Sequence, residues 1–231
     1  AAFENNTVAT ARLLRRCDAY GVEQFVLVST DKAVEPSSVL GATKRLAEWY
    51  VRGFATEVTR KIVRFGNVFG SRGSVVPRFE RQLAAGRPLE VTHPDMERYF
   101  MSAEEACGLI LQTLLLDAAP IYALKMGEPV RIQWLAEAII RHLAPDRNPA
   151  DLIVYTGRRP GEKLREQLYA PPETEHPSEH PRILGLHGPL PVPARDLEKH
   201  LIRLTQLASE SRNDLLREAL FAELLRTPDV A

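Results

Sequence analysis

The sequence predicts an α/β protein that contains part of a doubly wound parallel sheet, a smaller α/β lobe and C-terminal helices. Helical and strand-like patterns alternate at short spacing over residues 6–65, as they do in doubly wound folds. The first strand-like run, 24–29, holds four consecutive apolar residues and ends in a polar one, which is typical of a central parallel strand. Polar residues follow directly at 30–32, at the carboxyl end of that strand, where open α/β sheets bind ligands.

The first half of the chain alternates between the 3.6-residue hydrophobic period of a helix and the apolar runs of a buried strand. Residues 6–19 predict a helix, because Val8, Leu14 and Cys17 share one helical face and Gly21 follows as a stop. The predicted elements that follow are a strand at 24–29, a helix at 38–56 and a strand at 61–65.

The pattern changes after Gly73. The predicted elements there are a helix at 75–85, a strand at 89–91, a helix at 103–117, a strand at 121–124, a helix at 131–143 and an edge strand at 152–154. Residues 171–193 hold seven prolines and are mostly polar, so we expect an extended linking segment there. Two amphipathic helices are predicted at 194–208 and 212–226.

Composition excludes several classes of protein. Hydrophobic residues make up 45% of the 231 residues, and 30 basic side chains balance 30 acidic ones. Zero formal charge argues against a nucleic-acid partner, and no apolar run approaches the ~18 residues of a membrane span. Cys17 and Cys107 form no CxxC motif, so we expect a reducing, cytoplasmic location, no disulfide framework and no metal site.

One segment carries chemistry at the end of the first strand. Ser29, Thr30, Asp31 and Lys32 bring hydroxyl, carboxyl and amino groups to that position. Taken alone, the segment is more typical of a helix-entry turn, in which Thr30 or Asp31 caps backbone donors. Lys44 on the next helix, taken alone, is typical of a solvated surface.

Several sequence blocks in unbroken order are more specific than this segment. They are 29–36 (STDKAVEP), 41–44 (GATK), 64–75 (RFGNVFGSRGSV), 95–101 (DMERYFM), 126–130 (MGEPV) and 155–164 (YTGRRPGEKL). Together, over about residues 1–190, they resemble the CapD-like polysaccharide-biosynthesis proteins. These are nucleotide-sugar 4,6-dehydratases of the extended short-chain dehydrogenase/reductase superfamily.

The resemblance implies a domain organisation. Residues 1–70, completed by about 98–125, would be the later part of a Rossmann-like NAD-binding domain. Residues 71–97 and 126–190 would form the nucleotide-sugar-binding lobe, and residues 191–231 a helical extension. No GxGxxG or GxxGxxG turn occurs in the chain, so we expect the pyrophosphate-binding turn to lie upstream. We therefore expect the isolated chain to bind NAD poorly and to show no dehydratase turnover.

The resemblance also implies a reaction. Members of the family use NAD, which we expect here rather than NADP, to take a hydride from C4 of UDP-N-acetylglucosamine. Water is then lost across C5 and C6, and the hydride returns to C6. Thr30 would hydrogen-bond the C4 oxygen, Asp31 would protonate the departing C6 hydroxyl, Lys32 would take the C5 proton, and Lys44 would bind the nicotinamide ribose.

Further site residues follow from the same blocks. The expected cofactor-binding residues are Asn6, Ser29, Lys44, Phe65, Gly66 and Val68. Asn67 would contact the diphosphate region, Arg98 and Arg159 would hold the UDP phosphates, and Glu162 would meet the ribose hydroxyls. Arg72 is a candidate of the same kind, with a plain surface charge as an equal alternative.

Position 40 departs from the superfamily pattern. The YxxxK motif has a tyrosine base four residues before its lysine, whereas this chain has Leu40 before Lys44. The proton of the C4 hydroxyl would then leave through Thr30, Asp31 or water, and the sequence does not choose among these.

Three functions remain open at this point. The first is a UDP-N-acetylglucosamine 4,6-dehydratase, either cytoplasmic or tethered to the inner membrane by upstream helices. The second is a sugar-nucleotide epimerase, which the Asp31–Lys32 pair disfavours because simple 4-epimerisation needs no acid at C6. The third is a non-catalytic sugar-nucleotide-binding or assembly module. In each case we expect a UDP-sugar ligand, no membrane contact by this segment itself, and a homo-oligomer.

Overall fold

A computed structural model describes residues 1–71, 73–116, 119–190 and 192–224. Within these residues the α-helices are α1 (Ala9–Ala19), α2 (Val39–Gly53), α3 (Val75–Ala84), α4 (Ala103–Thr113), α5 (Ile132–Leu143), α6 (Ala194–Ser209) and α7 (Asn213–Leu224). The strands are β1 (Gln24–Val28), β2 (Thr59–Arg64), β3 (Asn67–Val68), β4 (Leu89–Val91), β5 (Glu97–Arg98), β6 (Phe100–Met101), β7 (Ile121–Leu124), β8 (Val130–Arg131), β9 (Ile153–Tyr155), β10 (Thr174–Pro177) and β11 (Ile183–His187). A π-helical turn, Glu4–Val8, precedes α1, and 3₁₀ turns cover Asp31–Ala33 and Pro149–Asp151.

The main sheet has the strand order β1-β2-β7-β11-β10. Strands β1, β2 and β7 are parallel, as the continuously apolar runs predict. The α/β fold class is therefore confirmed. In β1 and β2, Val28 pairs with Val63, and the amide of Ser29 donates to the oxygen of Val63 at 2.8 Å. The two strands thus end at the same level, and the residues that follow them lie side by side.

Helices cover both faces of the main sheet. Ile62 and Ile121 contribute to the core on one face, together with residues of α1, α2, α6 and α7. Val63 and Tyr122, the next residues along the strands, contribute to the core beneath α4 on the other face. This alternation follows from the two-residue period of side chains in a strand.

The proline-rich segment corrects one expectation. Residues 171–193 were expected to form an extended linking segment, but they carry β10 and β11, which extend the main sheet. Ile183 and Leu186 of β11 are almost completely buried, whereas β10 is exposed throughout. Proline is compatible with a strand at a sheet edge, where no ladder hydrogen bond is lost, and Pro177 stands in the edge strand β10.

The smaller lobe is built from α3, α5 and the parallel pair β4–β9. Phe79, Leu89 and Ile140 are fully buried in its core. Two further short strand pairs, β3–β6 and β5–β8, come from the segments of chain that connect the elements of the main sheet to those of the smaller lobe.

The C-terminal helices pack on the chain's own helices. Leu197, Leu201 and Leu204 of α6 and Leu220 of α7 are buried in the core that contains Leu14 and Trp49. Within the described residues, none of the helices combines the length and the apolar character needed to cross a membrane. The predicted homo-oligomer stays a prediction.

Candidate functional site

A cleft of about 520 Å³ lies between the carboxyl ends of β1 and β2 and the smaller lobe. Of the predicted site residues, those that line it are Thr30, Lys32, Gly66, Asn67, Val68, Arg98, Arg159 and Glu162. Leu40 lines it as well. The structure therefore brings the polar segment after β1 and the later arginines to one cavity.

The segment after β1 is held in a tight turn. Thr30 has extended backbone and precedes the 3₁₀ turn Asp31–Ala33, and its Oγ1 accepts a long hydrogen bond from the Lys32 amide, at 3.5 Å. The capping interpretation of Thr30 is thus correct as local structure. The same hydroxyl also donates to Asp31 Oδ1 at 2.9 Å, so it makes a second contact besides the cap.

Lys32 and Asp31 form an ion pair at the floor of the cleft. Lys32 Nζ donates to Asp31 Oδ1 at 2.8 Å and to Asn67 Oδ1 at 3.1 Å. The Asp31 side chain is fully buried, whereas that of Lys32 is 25% exposed. Asp31 Oδ2 is buried and has no hydrogen-bond partner among the described residues. A buried polar atom without a partner calls for a specific explanation, such as a bound water, ion or ligand.

Gly66 lies directly against this orphaned oxygen. A Cβ atom at position 66 would meet Asp31 Oδ2, Met126 Sδ and Tyr99 Cβ, each at 3.1 Å. The position thus suits glycine, and the backbone can approach the cleft closely there.

Helix α2 holds Leu40 and Lys44 beside the turn. Gly41 allows the close approach, because a Cβ atom there would lie 2.0 Å from the Lys32 oxygen. Lys44 Nζ donates to the Val28 oxygen at 3.1 Å, and burial lowers the pKa of Lys44 despite the opposing charge of Glu48. Leu40 is 47% exposed, one helical turn before Lys44.

A second tight contact docks the loop that carries Arg159 and Glu162. A Cβ atom at Gly161 would lie 2.0 Å from the Ser37 oxygen, and Gly161 has φ +76°. Ser37 Oγ donates to the Gly161 oxygen at 2.7 Å, and Lys163 Nζ donates to the Val34 oxygen at 2.9 Å. The loop is therefore fastened to the segment that follows Lys32, although about 125 residues separate the two in sequence.

Glu162 links the two arginines. Its Oε1 lies 3.7 Å from Arg98 Nη2, and its Oε2 accepts from the Arg159 amide at 3.1 Å. Arg98 Nη1 donates to the backbone oxygens of Glu97 and Leu164, at 2.6 and 3.1 Å. Arg98 is thus rigidly positioned, while the Arg159 side chain is exposed.

Five other predicted residues that the structure describes do not line the cleft: Asn6, Ser29, Asp31, Lys44 and Phe65. Asn6 Nδ2 donates to Thr43 Oγ1 on α2 at 3.0 Å, and Ser29 Oγ donates to the buried Glu48 at 2.5 Å. Phe65 is buried, and its oxygen accepts from the Asp31 amide at 3.1 Å. Arg72 lies outside the described residues.

Two residues near the ligand space escaped the sequence reasoning. Arg78 of α3 lines the cleft. The helical spacing could have indicated this, because Arg78 falls on the same face of the predicted helix as Val75 and Gln82, which point inward. Glu166 is 8% exposed and lines an adjoining cavity with Lys32. Burial and the charge of Asp31 raise the pKa of Glu166, and no sequence pattern indicated this.

A family of sequences described as polysaccharide biosynthesis protein matches residues 1–187. The chain is 43% identical over 203 residues to the probable polysaccharide biosynthesis protein EpsC of Bacillus subtilis (strain 168), covering 85% of this chain and 34% of that protein. It is 44% identical over 171 residues to the capsular polysaccharide biosynthesis protein CapD of Staphylococcus aureus, covering 72% and 28%. The chain thus spans about a third of the length of these relatives. It is also 30% identical over 201 residues to a UDP-glucose 4-epimerase of Rickettsia bellii (strain OSU 85-389), covering 85% and 57%.

Solved structures share the fold. Pen from Bacillus thuringiensis superposes with a TM-score of 0.65 at 31% identity, over 71% of this chain and 52% of that one. The dTDP-glucose 4,6-dehydratase DesIV from Streptomyces venezuelae, solved with NAD and TYD bound, superposes with a TM-score of 0.62 at 22% identity, over 72% and 57%. At that identity the second likeness speaks for the fold alone.

Proposed function

This chain belongs to the polysaccharide biosynthesis protein family, and from that premise we propose that it carries the substrate-binding and dehydrating half of an NAD-dependent 4,6-dehydratase. The proposed substrate is UDP-N-acetylglucosamine, and the proposed product is its 4-keto-6-deoxy derivative. The observation that carries the proposal is one cleft lined by Lys32, which is paired with the buried Asp31, and by Arg98, Arg159 and Glu162.

The cleft suits a sugar nucleotide in size and charge. Its volume of about 520 Å³ is within the usual range of small-molecule sites, ~300–1,000 Å³. Guanidinium groups match the oxygens of a diphosphate, and Glu162 offers a carboxylate for ribose hydroxyls. The sugar would then lie over Thr30 and Lys32, beside the end of β1.

The residues present fit the nicotinamide end of a nicotinamide dinucleotide. Gly66 keeps the space beside Asp31 free of a side chain, and within the described ranges no donor reaches the buried Asp31 Oδ2. Lys44, half-buried beside β1, would bind the nicotinamide ribose. When bound, NAD would accept the hydride from C4 and return it to C6.

The Lys32–Asp31 contact provides both groups that dehydration needs. The step needs Lys32 as a neutral amine, which its partly exposed side chain reaches by releasing a proton to solvent, and it needs Asp31, 2.8 Å away, as a carboxylic acid. Once C4 is oxidised, Lys32 Nζ takes the C5 proton, and the Asp31 proton joins the departing C6 hydroxyl as water. These two transfers leave the pair ionised, and Lys32 would return its proton to C5 when the hydride is delivered to C6.

Thr30 offers a route for the C4 hydroxyl proton that does not need a residue at position 40. Thr30 Oγ1 donates to Asp31 Oδ1 at 2.9 Å. A proton that passes from the C4 hydroxyl through Thr30 would therefore reach Asp31 and prepare it as the acid of the next step. This contact supports the Thr30–Asp31 route, and Leu40 offers no acid–base group of its own.

A 4-epimerase remains the second candidate, because a relative of that name is 30% identical. Product mass separates the candidates when the gene product at its natural length is incubated with UDP-N-acetylglucosamine and NAD. We expect a product lighter by one water, whereas an epimer keeps the mass of the substrate. An unchanged substrate pool would overturn the enzyme proposal in favour of a binding module.

The matched variants are Lys32→Met and Lys125→Met. Lys125 is exposed and lies outside the cleft lining. Loss of a general base typically costs about 10²–10⁴-fold in rate, so we expect that loss for Lys32→Met and an unchanged rate for Lys125→Met. Equal rates for the two variants would contradict the role of Lys32.

A further inference from the structure

The start of α3 presents two polar side chains to the cleft, and each has a polar atom without a hydrogen-bond partner among the described residues. Ser74 and Arg78 are four residues apart, hence on one face of the helix, and both line the cleft. Ser74 Oγ and Arg78 Nε are buried without a hydrogen-bond partner in the described part of the chain.

Ser74 stands at the N-cap position but does not cap the helix. No side-chain hydrogen bond closes this helix start, although serine there normally accepts from an amide of the first turn. The third helical residue is Pro77, which has no amide hydrogen to donate. The hydroxyl of Ser74 is therefore left for another partner, next to the positive end of the helix dipole.

Arg78 is anchored at one nitrogen only. Its Nη2 donates to the backbone oxygen of Glu90 on β4 at 2.7 Å. No carboxylate pairs with Arg78 or with the Arg159 side chain among the described residues, although salt bridges are frequent elsewhere in the chain.

The cleft concentrates positive charge around this turn. Its described lining contains Lys32, Arg78, Arg98 and Arg159 against a single carboxylate, Glu162. Burial, followed by the charge of Arg159, lowers the pKa of Arg78, while Glu90 and Glu162 oppose this effect. Two guanidinium groups that repel each other in a half-buried cleft are stabilised when an anion binds between them.

We propose that Arg78 and Ser74 form a phosphate subsite, in which they bind one phosphate group of the substrate diphosphate opposite Arg159. The subsite rests on the proposed function for the identity of the diphosphate. Its chemistry is that of an anionic phosphate held by a guanidinium, a hydroxyl and the start of a helix. In this arrangement Arg78 contributes to binding the nucleotide and not to proton transfer at the sugar.

The test is calorimetric titration of the purified chain with UDP, inorganic pyrophosphate and uridine. The variants are Arg78→Met, Arg78→Lys and Ser74→Ala, with Arg81→Met as the matched control, because Arg81 is exposed on the same helix. Loss of a charge-assisted hydrogen bond weakens binding by about 10- to 100-fold. We expect that loss for UDP and pyrophosphate with Arg78→Met, a smaller loss with Ser74→Ala, and no change with Arg81→Met.

Three outcomes are decisive. Retention of most of the pyrophosphate affinity by Arg78→Lys, with unchanged uridine affinity, would support the subsite and exclude a folding defect in Arg78→Met. If the wild-type chain and the Arg78→Met variant bind UDP with equal affinity, the subsite is overturned and the proposed function stands. A wild-type chain that binds neither UDP nor pyrophosphate would overturn both.

Discussion

Arg64 and Glu48 form a bidentate ion pair that is completely removed from solvent, directly beneath the cleft. Arg64 Nε lies 2.8 Å from Glu48 Oε1, and Arg64 Nη2 lies 2.7 Å from Glu48 Oε2. The other edge of the guanidinium binds Glu173, and Ser29 donates to Glu48. One buried network thus joins β2, α2, the end of β1 and the segment before β10, and it holds the turn that carries Thr30 and Lys32 in place.

Glu48→Gln is expected to destabilise the fold strongly. Removal of one partner from a buried ion pair leaves an uncompensated charge and typically costs about 3–5 kcal/mol. The measurement is the free energy of unfolding in urea. The control is Glu137→Gln, which breaks the exposed Arg141–Glu137 pair and should cost about 0.3–0.5 kcal/mol. Similar losses for the two variants would show that the buried network adds nothing to stability.

Glu173 makes the fold sensitive to acid. Burial raises the pKa of Glu173, but hydrogen bonds and charges of Arg64 and Arg45 outweigh it and lower the pKa to about 2. A depressed carboxyl pKa stabilises the folded state above the unfolded pKa of ~4.5, and this contribution is lost as the pH falls from there toward 2. We expect the free energy of unfolding to drop by about 2–3 kcal/mol over this window.

Glu173→Gln tests the assignment. The variant cannot titrate at position 173, so its free energy of unfolding should be lower than that of the wild type at pH 7 and should vary less between pH 5 and pH 2. Parallel curves for the two proteins would mean that other carboxylates cause the acid sensitivity.

Thr30→Val is expected to slow the first chemical step while substrate binding is preserved. The variant keeps the shape of the side chain but removes the hydroxyl that donates to Asp31. Loss of a proton-transfer group typically costs about 10²–10⁴-fold in rate. The measurement is the single-turnover absorbance of reduced cofactor with the gene product at its natural length. Thr30→Ser should retain the rate.

Leu40→Ala is the companion of that experiment. Leu40 lines the cleft but has no proton to exchange, so we expect its truncation to change the rate less than threefold. A large loss with Leu40→Ala and none with Thr30→Val would refute the Thr30 route.

The sequence predicted the parts of this protein that depend on short-range pattern. Continuous apolar runs predicted the parallel strands, and the segment after β1 and the blocks with Arg98 and Arg159 were placed in one ligand-binding region. The structure brings them to the same cleft because Gly161 packs against the Ser37 backbone. The family relationship is confirmed by the match over residues 1–187.

The rest depends on contacts that a single sequence does not show. The buried network joins Glu48, Arg64 and Glu173, which are 16 and 109 residues apart, and each alone resembles an ordinary surface charge. The strands β10 and β11 were missed because their prolines and polar residues suggested a linker. The assignment of Ser29 to the cofactor stays a prediction, and the hydrogen bond from its hydroxyl to Glu48 has no signal in the sequence.

Glu166→Gln is expected to stabilise the fold at neutral pH. Burial and the charge of Asp31 raise the pKa of Glu166, while Lys32, Arg98 and Lys163 oppose the rise. A carboxyl group with a raised pKa binds its proton more tightly in the folded state. Between the unfolded and folded pKa values the folded state therefore holds more protons, and stability falls as the pH rises. At pH 7 the ionised Glu166 thus costs stability that glutamine does not.

The measurement is the Tm of the two proteins at pH 7 and at pH 4. We expect Glu166→Gln to melt higher at pH 7, by an amount on the order of 2 °C, and the difference to shrink at pH 4, where the carboxyl is largely protonated in both states. A lower Tm for the variant at pH 7 would mean that attraction to Lys32 and Arg98 outweighs burial. Glu166 would then be a stabilising partner of the Lys32–Asp31 pair.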